Sequence, residues 1–393
     1  SRAVAILAAL LGSWGRKGGY LLPTAMELPK VPTPKTAVNG DAVDRANPGL
    51  YPFSDEVLAS GLCDATMPGL PERVHGWMVY GTNLLQALPD QARTIRAIEA
   101  LDFLVTVDVL PMEIVGWSDV VLPESTYLER FDDLWSPAYR EPFVAVRQPA
   151  VAPMYDSRPG WWIAKELATR LGVADQFPWK DPVENAAMRM QMAGLDFDEL
   201  LRRGVITIDP PPSTEEEGVA LGFDTPSGKI ELASEQLAAS GFDPIPVYTP
   251  HDPPPPGMFR LLSGRAPVHT FGRTVNNPVL SEAMAENEVW VNAAVAGSLP
   301  AFDGMPLRSG DYVVLENQDG VRSGRVRAKV TERIRGDAVY LVHGFGHAAR
   351  RLSRANGRGA SDSVLTTRFA RDPIMGGTGM NVNFVRILPA EVA

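Results

Sequence analysis

The sequence predicts an α/β chain in three parts, and three observations support this. Residues 1–135 alternate short apolar runs with a helical stretch, which indicates a parallel sheet. Residues 136–250 mix helical stretches with turns and form a mixed α+β middle region. Residues 258–393 hold strand-like runs between Gly and Asp turns, which predicts a compact C-terminal β-barrel domain.

In the first part, residues 74–80, 103–108 and 118–123 have the apolar pattern of buried strands, and residues 89–101 form a helix between the first two. Gly81 and Asn83 follow the first strand, and Asp108 ends the second. Parallel α/β sheets bind ligands at the carboxyl ends of their strands, so these three are candidate ligand contacts. The alternatives are a simple turn for Gly81 and Asn83, and a helix cap for Asp108.

In the middle region, the apolar spacing predicts helices over residues 161–172 and 181–202, and a turn that leads into a strand over residues 225–232. Four consecutive prolines in residues 251–257 indicate a stiff linker and a domain boundary. Beyond it, residues 312–315, 324–330 and 338–342 are the clearest strands of the barrel.

Composition excludes several classes of function. The net charge of −10 over 393 residues argues against nucleic acid as the main partner. Apolar runs are too short to span a membrane. Residues 1–12 fit a helix end better than a signal peptide, and the sequence begins with Ser rather than Met. We therefore expect a processed, split or partial polypeptide with any targeting signal upstream. The single cysteine, Cys63, is expected to be buried packing on a helix, and an iron–sulfur cluster cannot be built from it.

Two loops near the C-terminus are dense in Gly, Arg, Thr, Asn and His, and each adjoins a strand-like run. They cover residues 261–277 and 376–385. Their many hydrogen-bond donors and their flexible glycines suit a large, polar, phosphate-bearing ligand. Surface solvation is the alternative for any one of these side chains. The candidate binding residues in these loops are Ser263, Gly264, Arg265, His269, Thr270, Arg273, Thr274 and Asn383.

Two further sets of residues leave alternatives open. His343 and His347 could contribute to a metal site, but two imidazoles without a carboxylate or thiol partner provide few ligands for a metal ion. Packing or cofactor contact is therefore favoured. Glu124, Glu129 and Arg130 follow the third strand. An ion-pair network is favoured for them over an acid/base pair.

Two longer segments resemble the catalytic subunits of the molybdopterin oxidoreductase family, the group that includes dimethyl sulfoxide reductase. Residues 118–124 read SDVVLPE and residues 224–232 read DTPSGKIEL, and both are similar to segments of that family. Residues 269–277 and 376–385 resemble most the branch that holds the catalytic subunits of polysulfide and thiosulfate reductases. The resemblance covers nearly the whole sequence and corresponds to the C-terminal portion of such a subunit.

The resemblance implies a bis(molybdopterin guanine dinucleotide) cofactor with molybdenum. The α/β domain would bind one dinucleotide through Gly81, Asn83 and Asp108. The C-terminal β-barrel would be the domain that binds the other, through the loop residues named above. The catalytic residues stay unknown, with His269 and Arg273 as weak candidates for reaching toward the metal. No metal ligand is assigned in this chain.

The resemblance also implies a function in anaerobic respiration. The subunit would act on an inorganic sulfur compound, namely polysulfide, thiosulfate or a related oxyanion. A 4Fe–4S cluster and the molybdenum ligand are expected in the N-terminal part that precedes this sequence. The implied partners are an iron–sulfur electron-transfer subunit and a membrane anchor subunit. The expected location is periplasmic or membrane-associated through partners, with a cytoplasmic location as the alternative.

The main alternative is a cofactor-free structural homologue in a respiratory complex. Relatives commonly have Thr where this chain has Ile114, and this change would remove a hydroxyl contact to the nucleotide. The retained Arg, His and Thr residues of the loops argue against that alternative. A nicotinamide-dependent dehydrogenase is disfavoured because the α/β region has no Gly-x-Gly-x-x-Gly turn.

Overall fold

The computed structural model describes residues 2–20, 26–34, 51, 53, 61–69, 73–208, 222–299, 302 and 305–390. The chain divides into two compact units. Unit 1 combines Ser1–Val38 with Glu124–Pro250, and unit 2 combines Asn39–Pro123 with His251–Ala393.

Helices and strands are numbered in chain order within the described residues. The helices are α1 (Arg2–Leu10), α2 (Leu62–Thr66), α3 (Leu84–Ala87), α4 (Gln91–Glu99), α5 (Gly160–Arg170), α6 (Pro182–Met192), α7 (Phe197–Arg203), α8 (Glu235–Ala239), α9 (Pro278–Ala283), α10 (Ala293–Ala296) and α11 (Asp362–Leu365). The strands are β1 (Gly76–Tyr80), β2 (Phe103–Asp108), β3 (Val120–Pro123), β4 (Phe143–Ala145), β5 (Val205–Thr207), β6 (Phe259–Gly264), β7 (Glu288–Asn292), β8 (Tyr312–Asn317), β9 (Val326–Thr331), β10 (Ala338–Val342), β11 (Ala370–Arg371), β12 (Thr378–Gly379) and β13 (Phe384–Pro389). Short 3₁₀ helices lie at Glu113–Trp117, Ala174–Gln176 and Phe271–Thr274.

The first part of unit 2 is a three-stranded parallel sheet in the order β1-β2-β3. Helix α4 connects β1 to β2, and Asp90 caps its start by accepting a hydrogen bond from the Arg93 amide. In the β1–β2 register Tyr80 pairs with Val107, so both strands end at the same edge of the sheet. The predicted parallel sheet is confirmed.

The second part of unit 2 is a closed six-stranded barrel in the order β10-β6-β13-β8-β9-β7. Its strands alternate buried and partly exposed residues, as β8 shows most regularly. The inward side chains form one apolar core, which includes Leu261, Val289, Leu315 and Leu341. The predicted C-terminal barrel is confirmed.

A second apolar core of unit 2 joins the sheet to the loop that follows β10. Trp77 and Leu85 from the sheet region pack in the same cluster as Phe345 and Leu352 from that loop. Cys63 lies on α2 in this cluster and is 1% exposed, and burial raises the pKa of its thiol. This core fixes the sheet edge beside the barrel loops.

Unit 1 has an antiparallel pair, β4 with β5, that packs on α6 and α7 around buried Val144, Met190 and Leu200. The predicted single helix over residues 181–202 is two helices, because Gly194 between them adopts a left-handed φ of +69° that ends α6. The predicted strand after residue 229 is also wrong. Residues 230–232 have no strand partner in the described parts of the chain and stay half-exposed.

Of the charged residues that follow β3, Glu124 and Arg130 form the expected ion-pair network in unit 1, whereas Glu129 is hydrogen-bonded to backbone amides. Arg130 binds the Glu124 carboxylate at 2.5 Å and the Asp132 carboxylate at 2.8 Å. The Glu129 carboxylate accepts hydrogen bonds from the amides of Thr126 and Met154 at 2.6 and 2.7 Å. These side chains therefore fix the local backbone.

None of the helices in the described residues is long and apolar enough to cross a membrane.

Candidate functional site

A cleft of about 420 Å³ lies in unit 2, where the carboxyl edge of the parallel sheet meets the loops of the barrel. The sheet side and the 3₁₀ helix Phe271–Thr274 contribute most of its walls. Its lining residues are Gly81, Thr82, Asn83, Gln86, Ala87, Asp108, Met112, Phe271, Gly272, Arg273 and His343. Four residues predicted from the sequence, Gly81, Asn83, Asp108 and Arg273, are therefore brought together.

The sheet side of the cleft is formed by the residues that end β1 and β2. The Gly81 amide donates to the Val107 carbonyl at 2.9 Å, and Gly81 then turns the chain with a left-handed φ of +61°. Asp108 accepts a hydrogen bond from the Leu110 amide at 3.0 Å. Nothing lies within 4 Å of the position that a Cβ on Gly81 would occupy, so a ligand can approach the backbone there.

Asn83 presents an unpaired acceptor at this edge. Its Nδ2 donates to the Glu113 carboxylate at 2.6 Å, and a carboxylate only accepts, so this contact fixes which way the amide faces. Its Oδ1 is buried and has no hydrogen-bond partner in the described structure. Buried polar atoms are normally hydrogen-bonded, so Oδ1 marks a place for a ligand that donates a hydrogen bond.

The barrel side of the cleft depends on a tight 3₁₀ turn. Phe271 has a φ of +52°, which is uncommon for a residue other than glycine. Its ring contacts the Arg265 guanidinium, 4.7 Å from the ring centre, and makes a T-shaped contact with the His343 ring, with 5.5 Å between the centroids. Arg273 is exposed at the cleft and has no hydrogen bond or ion pair with the described residues.

Glu113 links the sheet side of unit 2 to the loop after β10. Besides Asn83, its carboxylate binds His347 Nδ1 at 3.0 Å and accepts from the Ala348 and Ala349 amides at 2.8 and 3.1 Å. Burial alone would raise the pKa of Glu113, but these contacts, chiefly with His347, lower it to about 2. Gln86 also approaches His347 Nδ1, at 3.3 Å.

His343 forms a separate pair with Asp362. Its Nδ1 lies 2.9 Å from both carboxylate oxygens, and the Asp362 side chain is only 5% exposed. Burial would lower the pKa of His343, but the hydrogen bond and charge of Asp362 raise it overall. His343 and His347 thus each pair with their own carboxylate, and no three His, Cys, Asp or Glu side chains of the described residues cluster as a metal site would require.

The other predicted binding residues lie around the cleft rather than on its walls. Ser263 and Gly264 end β6, and Gly264 packs so tightly against Tyr340 that a Cβ there would lie 2.7 Å from the tyrosine oxygen. The Arg265 carbonyl accepts from the Tyr340 hydroxyl at 2.9 Å. The Arg265 side chain also faces a second cavity of about 780 Å³ on the barrel.

His269, Thr270 and Thr274 form a hydrogen-bonded group behind the 3₁₀ turn. His269 is buried, and its Nε2 lies 2.8 Å from the Met284 carbonyl while its Nδ1 lies 3.3 Å from the Thr274 hydroxyl. That hydroxyl accepts from the Thr270 amide at 2.8 Å. Both imidazole nitrogens of His269 therefore have protein partners. The hypothesis that His269 or Arg273 reaches toward a metal stays a prediction.

Asn383 lies in a different hydrogen-bond network, at the start of β13. Its amide nitrogen donates to the carbonyls of Arg368 and Met380, at 2.7 and 2.8 Å, and its oxygen accepts from the Arg368 amide at 3.0 Å. It is fully buried and does not line the cleft. The structure gives it a role in fixing the loop before β13.

Several residues of the cleft were not predicted as binding residues. His343 was considered as a metal ligand and favoured as a packing or cofactor contact, and Gln86, Phe271 and Gly272 were not singled out. Gly272 allows close packing, since a Cβ there would lie 2.9 Å from Gln86 Oε1 and 3.0 Å from His347 Nε2. The sequence signal that could have found Gly272 is its place between two predicted site residues, Thr270 and Arg273.

Ile114 does not face the cleft. It is fully buried in the apolar core that joins the sheet to the loop after β10. We expect Ile114→Thr to lower the stability of the chain by about 2 kcal/mol, because it removes packed methyl groups and buries a hydroxyl. It should leave nucleotide binding unchanged. Thermal unfolding and the content of bound nucleotide measure the two effects, and a rise in bound nucleotide would contradict this placement.

Comparison with known proteins identifies the family. Residues 2–170 match the molybdopterin oxidoreductase family model, and residues 259–384 match the molydopterin dinucleotide binding domain. The chain belongs to the molybdopterin oxidoreductase family.

Its relatives include two reductase subunits. It is 28% identical over 326 residues to the thiosulfate reductase molybdopterin-containing subunit PhsA of Salmonella typhimurium, covering 77% of this chain and 42% of PhsA. It is 25% identical over 438 aligned positions to dimethyl sulfoxide reductase DmsA of Escherichia coli, covering 98% of this chain and 51% of DmsA. The chain thus spans about half the length of the curated relatives it matches.

The fold is similar to that of acetylene hydratase from Pelobacter acetylenicus, a solved structure. The TM-score is 0.64 at 21% sequence identity, over 84% of this chain and 46% of that one. At this identity, the similarity establishes the fold.

Proposed function

We propose that this chain is part of the catalytic subunit of a molybdenum oxidoreductase that acts on an inorganic sulfur compound such as thiosulfate or polysulfide. The observation that carries the proposal is the cleft itself, where Asn83 Oδ1 is buried without a partner among the described residues. The thiosulfate reductase relative supports the substrate class. Family membership supports the cofactor, bis(molybdopterin guanine dinucleotide).

The residues of the cleft suit one end of such a cofactor. Asn83 Oδ1 would accept a hydrogen bond from a purine, and Asp108 is of the type that binds purine or ribose donors. Arg273 would bind a phosphate through its guanidinium, which suits oxyanions. When bound, the cofactor would supply the redox chemistry at molybdenum. The residues of this chain would bind and orient it.

The proposal extends to the parts of the enzyme outside this sequence. A 4Fe–4S cluster needs several cysteines, and this chain has only Cys63, which is buried in an apolar core. We therefore propose that another polypeptide segment carries the cluster. We further propose an iron–sulfur subunit and a membrane anchor as partners, a periplasmic or membrane-associated location, and one dinucleotide for each of the predicted domains 1–135 and 258–393.

Elemental mass spectrometry of the natively purified protein tests this proposal directly. Molybdenum, iron and guanosine monophosphate released by acid should be present together, and intact-mass measurement should find the polypeptide that carries the cysteines. A complete complex that contains neither molybdenum nor guanine nucleotide would contradict the proposal. It would favour the cofactor-free structural homologue.

Arg273→Gln tests the cleft as the nucleotide site. Because Arg273 has no ion pair with the described residues, we expect unchanged thermal stability but weaker retention of guanine nucleotide, by about tenfold. Arg96→Gln is the matched control, since it removes the same charge from an exposed position on α4. Equal nucleotide retention in the two variants would show that the dinucleotide does not use this cleft.

A further inference from the structure

His343 lines the cleft and has one ring nitrogen without a partner among the described residues. Its Nδ1 is bound to Asp362, and its Nε2 has no hydrogen-bond partner among the described residues. The side chain is 23% exposed and lines the cleft together with Arg273. The ring is held from one side by the edge-on contact with Phe271. A ring nitrogen that can bind a ligand is therefore carried by a side chain of the cleft wall.

The pair is built to keep His343 charged. Asp362 is the first residue of α11 and is buried, and His343 is the only hydrogen-bond partner of its carboxylate within the described residues. A buried carboxylate without a counter-charge is costly, so its ionisation favours the imidazolium form of His343. This geometry agrees with the raised pKa of His343.

The other charged and titratable groups around His343 come from four segments of unit 2. Arg273 of the 3₁₀ turn and Asp108 at the end of β2 line the same cleft. Burial raises the pKa of the Tyr340 hydroxyl on β10, and the negative charge of Asp362 raises it further. Arg265, which follows β6, places its guanidinium over the Phe271 ring, 4.7 Å from the ring centre. The positive charges of the His343 imidazolium and Arg273 are therefore matched by the carboxylates of Asp362 and Asp108. Arg265 adds one further positive charge.

We propose that His343 and Asp362 form an anion-binding element of the cleft, in which the His343 imidazolium donates its Nε2–H to an oxyanion. This inference rests on the proposed function, because the oxyanion would be either a phosphate of the guanine dinucleotide or the sulfur oxyanion substrate. Both sources offer the same chemistry, a charged oxygen acceptor. Binding is then strong while His343 is protonated and weakens as pH rises through its pKa.

His343→Gln tests the element in the natively purified protein with all its polypeptides. Retained guanosine monophosphate is measured after dialysis between about pH 6 and about pH 9, which spans the range in which histidine titrates. In the same range, initial rates with thiosulfate give KM and kcat. If the oxyanion is a cofactor phosphate, nucleotide retention in the wild type falls about tenfold with rising pH and is low and flat in the variant.

If the oxyanion is the substrate, nucleotide retention does not change. KM for thiosulfate then rises about tenfold with pH in the wild type and is high and flat in His343→Gln, while kcat stays unchanged. Asp362→Asn should move the pH midpoint downward in either case, because it removes the charge that favours the imidazolium. The Asp362→Asn variant also tests the proposal if His343→Gln does not fold.

The matched control is His75→Gln. His75 and Asp102 form an exposed pair at 2.7 Å in the same unit, outside the cleft lining. The inference would be overturned if His343→Gln kept the wild-type pH dependence of both nucleotide retention and KM. It would also be overturned if Asp362→Asn left the pH midpoint of the affected quantity unchanged. Wild-type protein without molybdenum or nucleotide would overturn the proposed function itself, and this inference with it.

Discussion

Glu113→Ala is expected to destabilise the chain by about 3–5 kcal/mol, because it leaves several hydrogen-bond donors without their acceptor, at a cost of about 1–3 kcal/mol for each buried one. The Glu113 side chain is 11% exposed and that of His347 is fully buried. Without the carboxylate, His347 Nδ1, Asn83 Nδ2 and the Ala348 and Ala349 amides lose their shared hydrogen-bond partner. Chemical denaturation at neutral pH measures the loss.

The same carboxylate should make stability depend on pH. The pKa of Glu113 is about 2 in the folded chain, against an ordinary value of 4.5 for a glutamate. A group with a depressed pKa stabilises the fold above its unfolded pKa and loses that contribution as pH falls toward the folded pKa. About 3 kcal/mol should therefore be lost between about pH 4.5 and about pH 2.

Glu113→Gln separates the charge from the size of the side chain. It should be less stable than wild type at neutral pH, and its stability should fall less below about pH 4.5. Glu332→Gln is the matched control, because Glu332 is exposed and has no ion pair with the described residues. If both variants follow the wild-type pH dependence, the Glu113 contacts do not stabilise the fold.

Local pattern in the sequence was enough to predict the edge on which the cleft forms. Apolar runs placed β1, β2 and β3, and parallel pairing then brought Gly81, Asn83 and Asp108 to one edge. Chain order does not reveal which distant side chains complete that edge. Glu113 and His347 are 234 residues apart, and only the packing of the shared apolar core brings them together.

The wrong predictions have local causes as well. Apolar spacing continues through Gly194, so periodicity alone could not detect the left-handed turn that divides α6 from α7. Ile114 is a different case, because the loss of a nucleotide contact that the family resemblance implies there stays a prediction. The 3₁₀ helix Glu113–Trp117 turns Ile114 into the core, and its neighbour Glu113 reaches Asn83. Which side of such a short helix faces a ligand depends on tertiary packing.

Gly344→Ala is expected to disrupt both the fold and the cleft. Gly344 follows His343 with a φ of +95°, and a Cβ there would lie 2.5 Å from the Phe271 carbonyl carbon and closer still to the Gly272 amide nitrogen. Both clashing atoms belong to the backbone of the 3₁₀ turn, so no rotamer change relieves them. We expect a destabilisation of about 3 kcal/mol or more, the sum of overpacking and left-handed strain.

Gly310→Ala isolates the part of this effect that comes from φ alone. Gly310 also lies in unit 2 and has a φ of +98°, but nothing lies within 4 Å of its Cβ position. Its substitution should cost about 1–2 kcal/mol and leave bound nucleotide unchanged. Gly344→Ala should in addition displace Phe271 and Arg273 and so reduce the bound nucleotide. Equal losses of stability in the two variants, with equal nucleotide content, would show that the close approach of Gly344 to the 3₁₀ turn does not shape the cleft.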